Sequence, residues 1–383
     1  MSVASTGQFP YSGSVFYMDT YNNKSYVGEP TTNLIPNAST LPDWTDYNNG
    51  NDGKFTTEFG TIGYKMINRG SWNGIYRGIT LSSTGQHTFS AYFRYLGGAS
   101  GNNGGTVYTS GFGLSDQYVG VNKSLVGVWQ RVTMTLNATS TSGTLYIISF
   151  GGTFGGDNNT WDVTMPQVEK NTHATPFVNG SRSVTQGLLD LTRTNTVDLT
   201  NAGYDSNANM VFSSANANRA SAGSTLDFAT FTSGYSVSLW VKPTGNSARG
   251  TLFSSAASPS GPDWQIYIWY DTNLTFGTSQ RYGASQNDFS TTNTYALNNW
   301  YHVTVTSNNS NCIIYVNGVQ NNNNSTGTIT PQPASREVWL GSFKGYTSYS
   351  YNGYISECAV YNRTLSSSEV SKLFNRTKKR YGY

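Results

Sequence analysis

Only 20 of the 383 residues are Asp or Glu, so their spacing decides whether the chain can cut a glycosidic bond. That chemistry needs two carboxylates about 5 to 9.5 Å apart. An E-x-D-x-E run would set three on one strand face, and none occurs. The nearest acidic pairs, Asp43 with Asp46 and Asp157 with Asp162, have odd spacings among turn residues, and read as solvated or turn-capping aspartates. His87, His173 and His302 are scattered. No H-x-x-E-H, C-x-x-C, G-x-S-x-G or P-loop run is present. The chain reads as non-enzymatic.

Planar side chains offer a different chemistry. Trp and Tyr faces stack on the C–H face of a pyranose, while amides and hydroxyls satisfy its OH groups. The candidates are Trp72, Tyr76 and Trp161 in the first half, and Trp264, Trp269 and Tyr270 in the second. The competing reading for each is core packing, because aromatics dominate sandwich cores. Tyr346, Tyr349 and Tyr351 sit in a Ser/Tyr/Gly segment and are expected at the surface, for a glycan or a protein interface. Asp19, Asp205, Asp271 and Asp288 could ligate a structural Ca²⁺, but no run has EF-hand spacing. No other cofactor is expected.

The elements that must position these residues are strands. Tyr, Phe and Trp make up 14% of the chain and charged residues 11%, against a usual charged share of about 25%. Net charge is +3. A disordered chain has fewer aromatics and more charge, and a nucleic-acid binder shows a basic face. No run approaches the ~18 apolar residues of a membrane helix, and Met1 to Pro10 lacks the charged and apolar regions of a signal peptide. Neither a nucleic-acid nor a membrane partner is expected.

Alternating runs such as Ser236-Val-Ser-Leu-Trp-Val241 and Trp300-Tyr-His-Val-Thr-Val-Thr306 recur between Gly, Asn and Ser clusters, the pattern of sandwiches. Asn317-Gly318 marks a tight hairpin. Ser366-Ser-Ser-Glu369 is a capping box, followed by Val370, Leu373 and Phe374 on one helix face. Lys372, Arg376, Lys378, Lys379 and Arg380 load that helix end, where cations suit the macrodipole. Cys312 and Cys358 lie in strand-like runs and read as buried free thiols.

Residues 235 to 383 resemble the concanavalin A-like, laminin G-type sandwiches. The motifs are Tyr235-Ser-Val-Ser-Leu-Trp-Val-Lys-Pro243, Trp300 to Thr306, Cys312-Ile-Ile-Tyr-Val-Asn-Gly318, Val338-Trp-Leu-Gly341 and Gly353-Tyr-Ile-Ser-Glu-Cys-Ala-Val-Tyr-Asn-Arg-Thr-Leu-Ser366. Ser356 stands where that family usually has Asp, which puts any role of that carboxylate in doubt. Residues 33 to 179 resemble the jelly rolls of carbohydrate-binding modules, through Asn33-Leu-Ile-Pro-Asn-Ala38, Gln86 to Arg94, Val128 to Thr133 and Met165-Pro-Gln-Val-Glu-Lys-Asn-Thr-His-Ala-Thr-Pro-Phe-Val178. That last phrase resembles one found in tail and virion proteins of bacteriophages, and Phe374 to Tyr383 resembles the ending of such proteins.

Phe16 to Tyr26 resembles the opening strand of the laminin G-like fold, whose continuation, Gly187 to Asn201, comes about 160 residues later. The expectation is an all-β chain of two sandwiches and a short C-terminal helix. Residues 1–32 form an arm and the first strand of the C-terminal sandwich, 33–179 a jelly roll inserted after it, and 180–383 the rest of the sandwich. The resemblance implies a non-enzymatic virion surface protein, a capsid decoration or fibre component. Its partners would be other virion proteins, host-surface glycans and further copies in a homo-oligomer. The alternatives are a secreted or cell-surface lectin, which the N-terminus disfavours, and a polysaccharide depolymerase, which the missing carboxylate pair disfavours.

Overall fold

The computed structural model describes residues 12–41, 44–67, 72–98, 103–150, 159–213, 218–222, 226–256, 264–282, 285–308, 310–324, 336–343 and 349–383. The chain is all-β, as its alternation predicts, and divides into two units, Pro30–Ser183 and Met1–Glu29 with Val184–Tyr383. Strands are numbered along the chain. Among the described residues no helix is long and apolar enough to cross a membrane.

The unit Pro30–Ser183 is a sandwich of two five-stranded antiparallel sheets. One runs β10 (Trp129–Ala138), β7 (Gly85–Gly97), β12 (Thr160–Glu169), β5 (Ile62–Ile67) and β4 (Asn51–Thr56). The other runs β3 (Thr45–Tyr47), β6 (Asn73–Thr80), β11 (Ser142–Phe150), β8 (Asn103–Gly111) and β9 (Leu114–Gly120). Period-two alternation decides which side chains enter the core. In β11, Leu145 and Ile147 point inward, and in β12 Trp161 and Val163 do so; all four are buried in one cluster.

The opening and closing phrases of this unit clamp each other, beside the small pair β2 (Thr31–Thr32) and β13 (Ser181–Arg182). Asn33 donates to the Pro166 and Val178 carbonyls and accepts from the Ile35 and Val168 amides. The fully buried Glu169 accepts from Thr31, Gln167 and both the amide and hydroxyl of Thr175. A buried carboxylate needs such partners. The phrase Met165–Val178 therefore has a structural task here: it closes the sandwich.

The second unit stacks an eight-stranded and a seven-stranded sheet. The first runs β15 (Gly203–Tyr204), β16 (Met210–Phe212), β27 (Gly353–Tyr361), β18 (Tyr235–Pro243), β23 (Tyr301–Ser307), β24 (Cys312–Val316) and β25 (Val319–Asn324), with β1 (Ser14–Asp19) also on β27. β1 pairs Phe16 with Val360 and Asp19 with Glu357. The other sheet runs β14 (Asp198–Asn201), β17 (Arg219–Ser221), β26 (Glu337–Leu340), β19 (Gly250–Ala256), β20 (Trp264–Tyr270), β21 (Phe276–Tyr282) and β22 (Ser285–Ser290). Phe16, Val237, Phe253, Ile268 and Val360 are fully buried between them. Asn317 and Gly318 turn the β24–β25 hairpin with φ of 53° and 78°, the left-handed pair a two-residue turn requires. Cys312 and Cys358 are buried free thiols.

The outer face of the eight-stranded sheet is covered by α1 (Ser367–Thr377) and a 3-10 turn, Lys378–Tyr381. The capping box forms as predicted, and Val370 and Leu373 are buried. The basic run departs from expectation. Arg376 reaches Glu357 at 3.2 Å and Arg380 reaches Asp19 at 2.8 Å, so two of the five cations neutralise buried acids instead of only facing the helix dipole. Burial, with the Asp19 charge adding to it, pushes the Glu357 carboxyl up to about 7 in spite of both arginines. Tyr381 stacks on the fully buried Trp240 with centroids 3.9 Å apart, and the Trp240 indole N–H donates to Thr377 at 2.8 Å. His302, the central residue of its motif, is held neutral by burial, its pKa lowered to about 3, and its Nε2 lies 2.8 Å from the Ser238 hydroxyl.

Candidate functional site

The sheet β3–β6–β11–β8–β9 places one residue from each strand in a single row: Thr45, Tyr76, Tyr146, Tyr108 and Tyr118. The three central strands put their apolar neighbours inward, Ile75 beside Tyr76, Leu145 and Ile147 beside Tyr146, Val107 beside Tyr108. Alternation then turns the tyrosines to the opposite face. With strands about 4.8 Å apart, the row spans about 19 Å.

The rings touch. Tyr76 and Tyr146 stack with centroids 5.5 Å apart and planes 26° from parallel. Tyr108 meets Tyr146 edge-on at 5.2 Å, and Tyr47 meets both Tyr76 and Tyr146 edge-on at 5.8 and 5.6 Å. Trp72 stands edge-on to Tyr108 at 5.6 Å. Such offset and T-shaped contacts each add stability beyond the buried area. Trp72 also holds a φ of 64°, uncommon for a bulky residue and a mark of a position fixed by its surroundings. Asn48 secures it by donating to the Trp72 carbonyl at 3.0 Å.

Two glycines flank Tyr76 on its own face. At Gly74 an added Cβ would lie 2.2 Å from the Ile147 carbonyl, so only glycine lets β6 and β11 approach there. At Gly78 a Cβ would meet nothing within 4 Å among the described residues, so a side chain there has open space beside Tyr76. Tyr118 is 57% exposed. The Tyr108 hydroxyl donates to Asp116. Desolvation first, and then that carboxylate, push the phenol up to about 12. The hydroxyl therefore stays a neutral donor. The face offers ring planes, hydroxyls and an acceptor.

Of the residues singled out in the sequence, Trp72 and Tyr76 meet here; Tyr47, Tyr108, Tyr118 and Tyr146 were not singled out. The signal available for Tyr146 was its place between Leu145 and Ile147. Trp161 is excluded as a surface platform: it is 1% exposed and packs on Phe93 in the core. Trp269, 2% exposed, is covered by Arg249 and lies against Tyr267. Tyr270 and Tyr351 are buried in the second core, correcting their assignment to a sugar site and an interface. Tyr349 is 36% exposed. Tyr346 lies outside the described residues, as does the side chain of Trp264.

The acidic candidates are engaged locally. Asp162 pairs with Arg94 at 2.6 Å and Asp46 accepts from the Asn51 amide; Asp43 and Asp157 lie outside the described residues. Of the proposed Ca²⁺ ligands, Asp19 pairs with Arg380 and Asp288 with Arg249. Asp205 and Asp271 accept from amides two and four residues on, as turn caps do. Among the described residues no group of three or more His, Cys, Asp or Glu could hold a metal ion.

A search of curated protein sequences finds no match. Residues 213–371 match the family described as the concanavalin A-like lectin/glucanases superfamily. Among solved structures, the chain is similar to the Trypanosoma rangeli sialidase in complex with the inhibitor DANA, at 20% identity and a TM-score of 0.37 over 48% of this chain and 30% of that one. It is also similar to the binding domain of botulinum neurotoxin DC in complex with rat synaptotagmin II, at 17% identity and a TM-score of 0.41 over 51% and 50%. A third is domain 4 of an extracellular arabinanase from Geobacillus stearothermophilus in complex with arabinotriose, at 22% identity and a TM-score of 0.35 over 43% and 75%. The chain thus spans half or less of the first two. Residues 213–371 thus carry the likeness to the concanavalin A-like lectin/glucanases, and the fold of their unit is concanavalin A-like.

Proposed function

We propose that this protein is a non-enzymatic glycan-binding protein, and that the tyrosine row of the Pro30–Ser183 unit holds an extended, neutral saccharide chain. The observation that carries this reading is the register of Tyr76, Tyr146, Tyr108 and Tyr118 across four neighbouring strands. Four tyrosines over about 14 Å suit a chain of sugar units better than a single ring. The uncharged rings suit C–H faces, and the Tyr and Thr hydroxyls and Asp116 suit sugar OH groups. The acids engaged in ion pairs and turn caps support a binding role over hydrolysis.

The test is a panel of neutral oligosaccharides titrated against the full chain by calorimetry, with Gly78→Leu as a steric probe. A leucine there would stand beside Tyr76 without disturbing the fold. Binding weakened by Gly78→Leu, at unchanged melting temperature, supports the row. Release of reducing sugar from a host polysaccharide would contradict the non-enzymatic reading.

Our reading places the protein on the surface of a bacteriophage virion, as a decoration or fibre component that attaches to host glycans, in a homo-oligomer. What supports this is the resemblance of Met165–Val178 and Phe374–Tyr383 to virion proteins. Mass spectrometry of purified particles would find the chain; its absence from them would remove this placement.

A further inference from the structure

A second cleft lies at the β14 end of the seven-stranded sheet, in the unit that carries the laminin G-type domain. Asp198, Thr200, Arg219, Ser221 and Trp339 line it, and its volume is about 180 Å³. Asp198, Ser221 and Trp339 share one register row. Val197, Leu199, Ala220, Ala222, Val338 and Leu340, which alternate with the lining residues, are all buried in the core. The polar set therefore faces away from the core.

The Arg219 guanidinium lies 5.3 Å from the centroid of the Trp339 ring. That contact orients the planar fork. Arg219 has no ion pair or hydrogen bond among the described residues. Asp198, in the same cleft, accepts from the amide and hydroxyl of Thr200 at 2.8 and 2.5 Å, both through Oδ1. Ser221 lies 3.5 Å from Glu337. A fixed cationic donor and an anionic acceptor thus line one small cleft without pairing to each other.

We infer that this cleft is a second sugar site, for a single neutral pyranose whose adjacent hydroxyls bridge Arg219 and Asp198 beside Trp339. One hydroxyl accepts from the guanidinium and its neighbour donates to Asp198 Oδ2, while Thr200 and Ser221 supply further hydroxyls. Both charges are then satisfied by a ligand that carries none. The volume is below the roughly 300–1,000 Å³ of a drug-sized pocket, which fits one ring and not a chain. The inference extends the glycan-binding reading but uses none of the tyrosine-row residues.

The experiment uses the full chain carrying Tyr146→Ala, so that the tyrosine row does not contribute. Methyl glucoside, galactoside and mannoside, each with its uronic acid counterpart, are titrated by saturation-transfer NMR. At least one neutral glycoside is expected to bind at about millimolar strength. Arg219→Gln and Asp198→Asn each weaken it about tenfold or more at unchanged melting temperature, and Trp339→Phe weakens it less. No binding by any neutral glycoside overturns the inference, as does binding that both variants leave intact or a preference for the uronic acids. Loss of oligosaccharide binding in Tyr146→Ala alone bears on the tyrosine row, and persistence of it in Arg219→Gln does not rescue this cleft.

Discussion

Two sheet faces in this molecule carry the same kind of aromatic cluster and differ in what lies over them. On the Pro30–Ser183 sandwich, Tyr47, Tyr76, Tyr108 and Tyr146 pack on one another, and the row runs out to the exposed Tyr118. On the eight-stranded sheet, Trp240 is stacked beneath Tyr381 and Phe374, with Tyr383 also against it. There the chain's own C-terminal segment covers the rings, locked down by Arg376 on Glu357 and Arg380 on Asp19. Ring chemistry alone does not make a site. The tyrosine row differs in that it ends on an exposed ring, with Tyr47, Tyr76 and Tyr146 half-buried and Tyr108 8% exposed.

The largest effect should come from breaking the covered cluster. Trp240→Ala removes a fully buried ring, its stack and its hydrogen bond, and should cost about 3–5 kcal/mol of stability in urea unfolding. A cost below about 1 kcal/mol would mean that the C-terminal cover is loosely held.

The acids beneath that cover should give the next effect. The folded carboxyl of Glu357 titrates at about 7, above the ordinary value of 4.5. The folded state therefore holds a proton that the unfolded chain has lost, so stability contributed by this group is complete below about pH 4.5 and falls as pH rises to about 7. Melting temperature measured from pH 4 to 8 should fall across that window in the native chain, and Glu357→Gln should flatten the fall. A rise with pH in this window, from this group, would contradict the burial account.

The smallest effect belongs to the helix start. Glu369 is held down to about 2, first by Arg363 and then by the Ser366 cap. Its contribution is present above the ordinary carboxylate range and fades as pH falls toward 2. The group is partly solvent-exposed and screened, so Glu369→Gln should cost only about 0.5–1 kcal/mol at neutral pH.

The fold was legible because it rests on local signals. Val237, Leu239 and Val241 alternate in β18, Asn317-Gly318 turns a hairpin, and Ser366 with Glu369 starts the helix, all as short-range chemistry requires. The site was only half legible. Alternation identifies two faces of a strand but not which face another element will cover. Trp161 alternates with Asp162 and shares its face with Val163, a pattern that marks it as core. Trp269 shares a face with Tyr267, away from Ile268, and is covered by Arg249 from the turn before β19. Asp19 and Arg380 lie 361 residues apart in sequence, so no local reading could join them. The tyrosine row was missed for the same reason: its members come from separate strands, and only the sheet register aligns them.

The central claim is that the tyrosine row binds glycan. The most direct measurement is the affinity of the full chain for its best neutral oligosaccharide, compared with that of Tyr146→Ala. Tyr146 stands in the middle of the row and touches Tyr47, Tyr76 and Tyr108. The account predicts a loss of about tenfold or more, as for a central aromatic anchor, with melting temperature lowered by no more than a few degrees. Unchanged affinity in a folded Tyr146→Ala protein would contradict it.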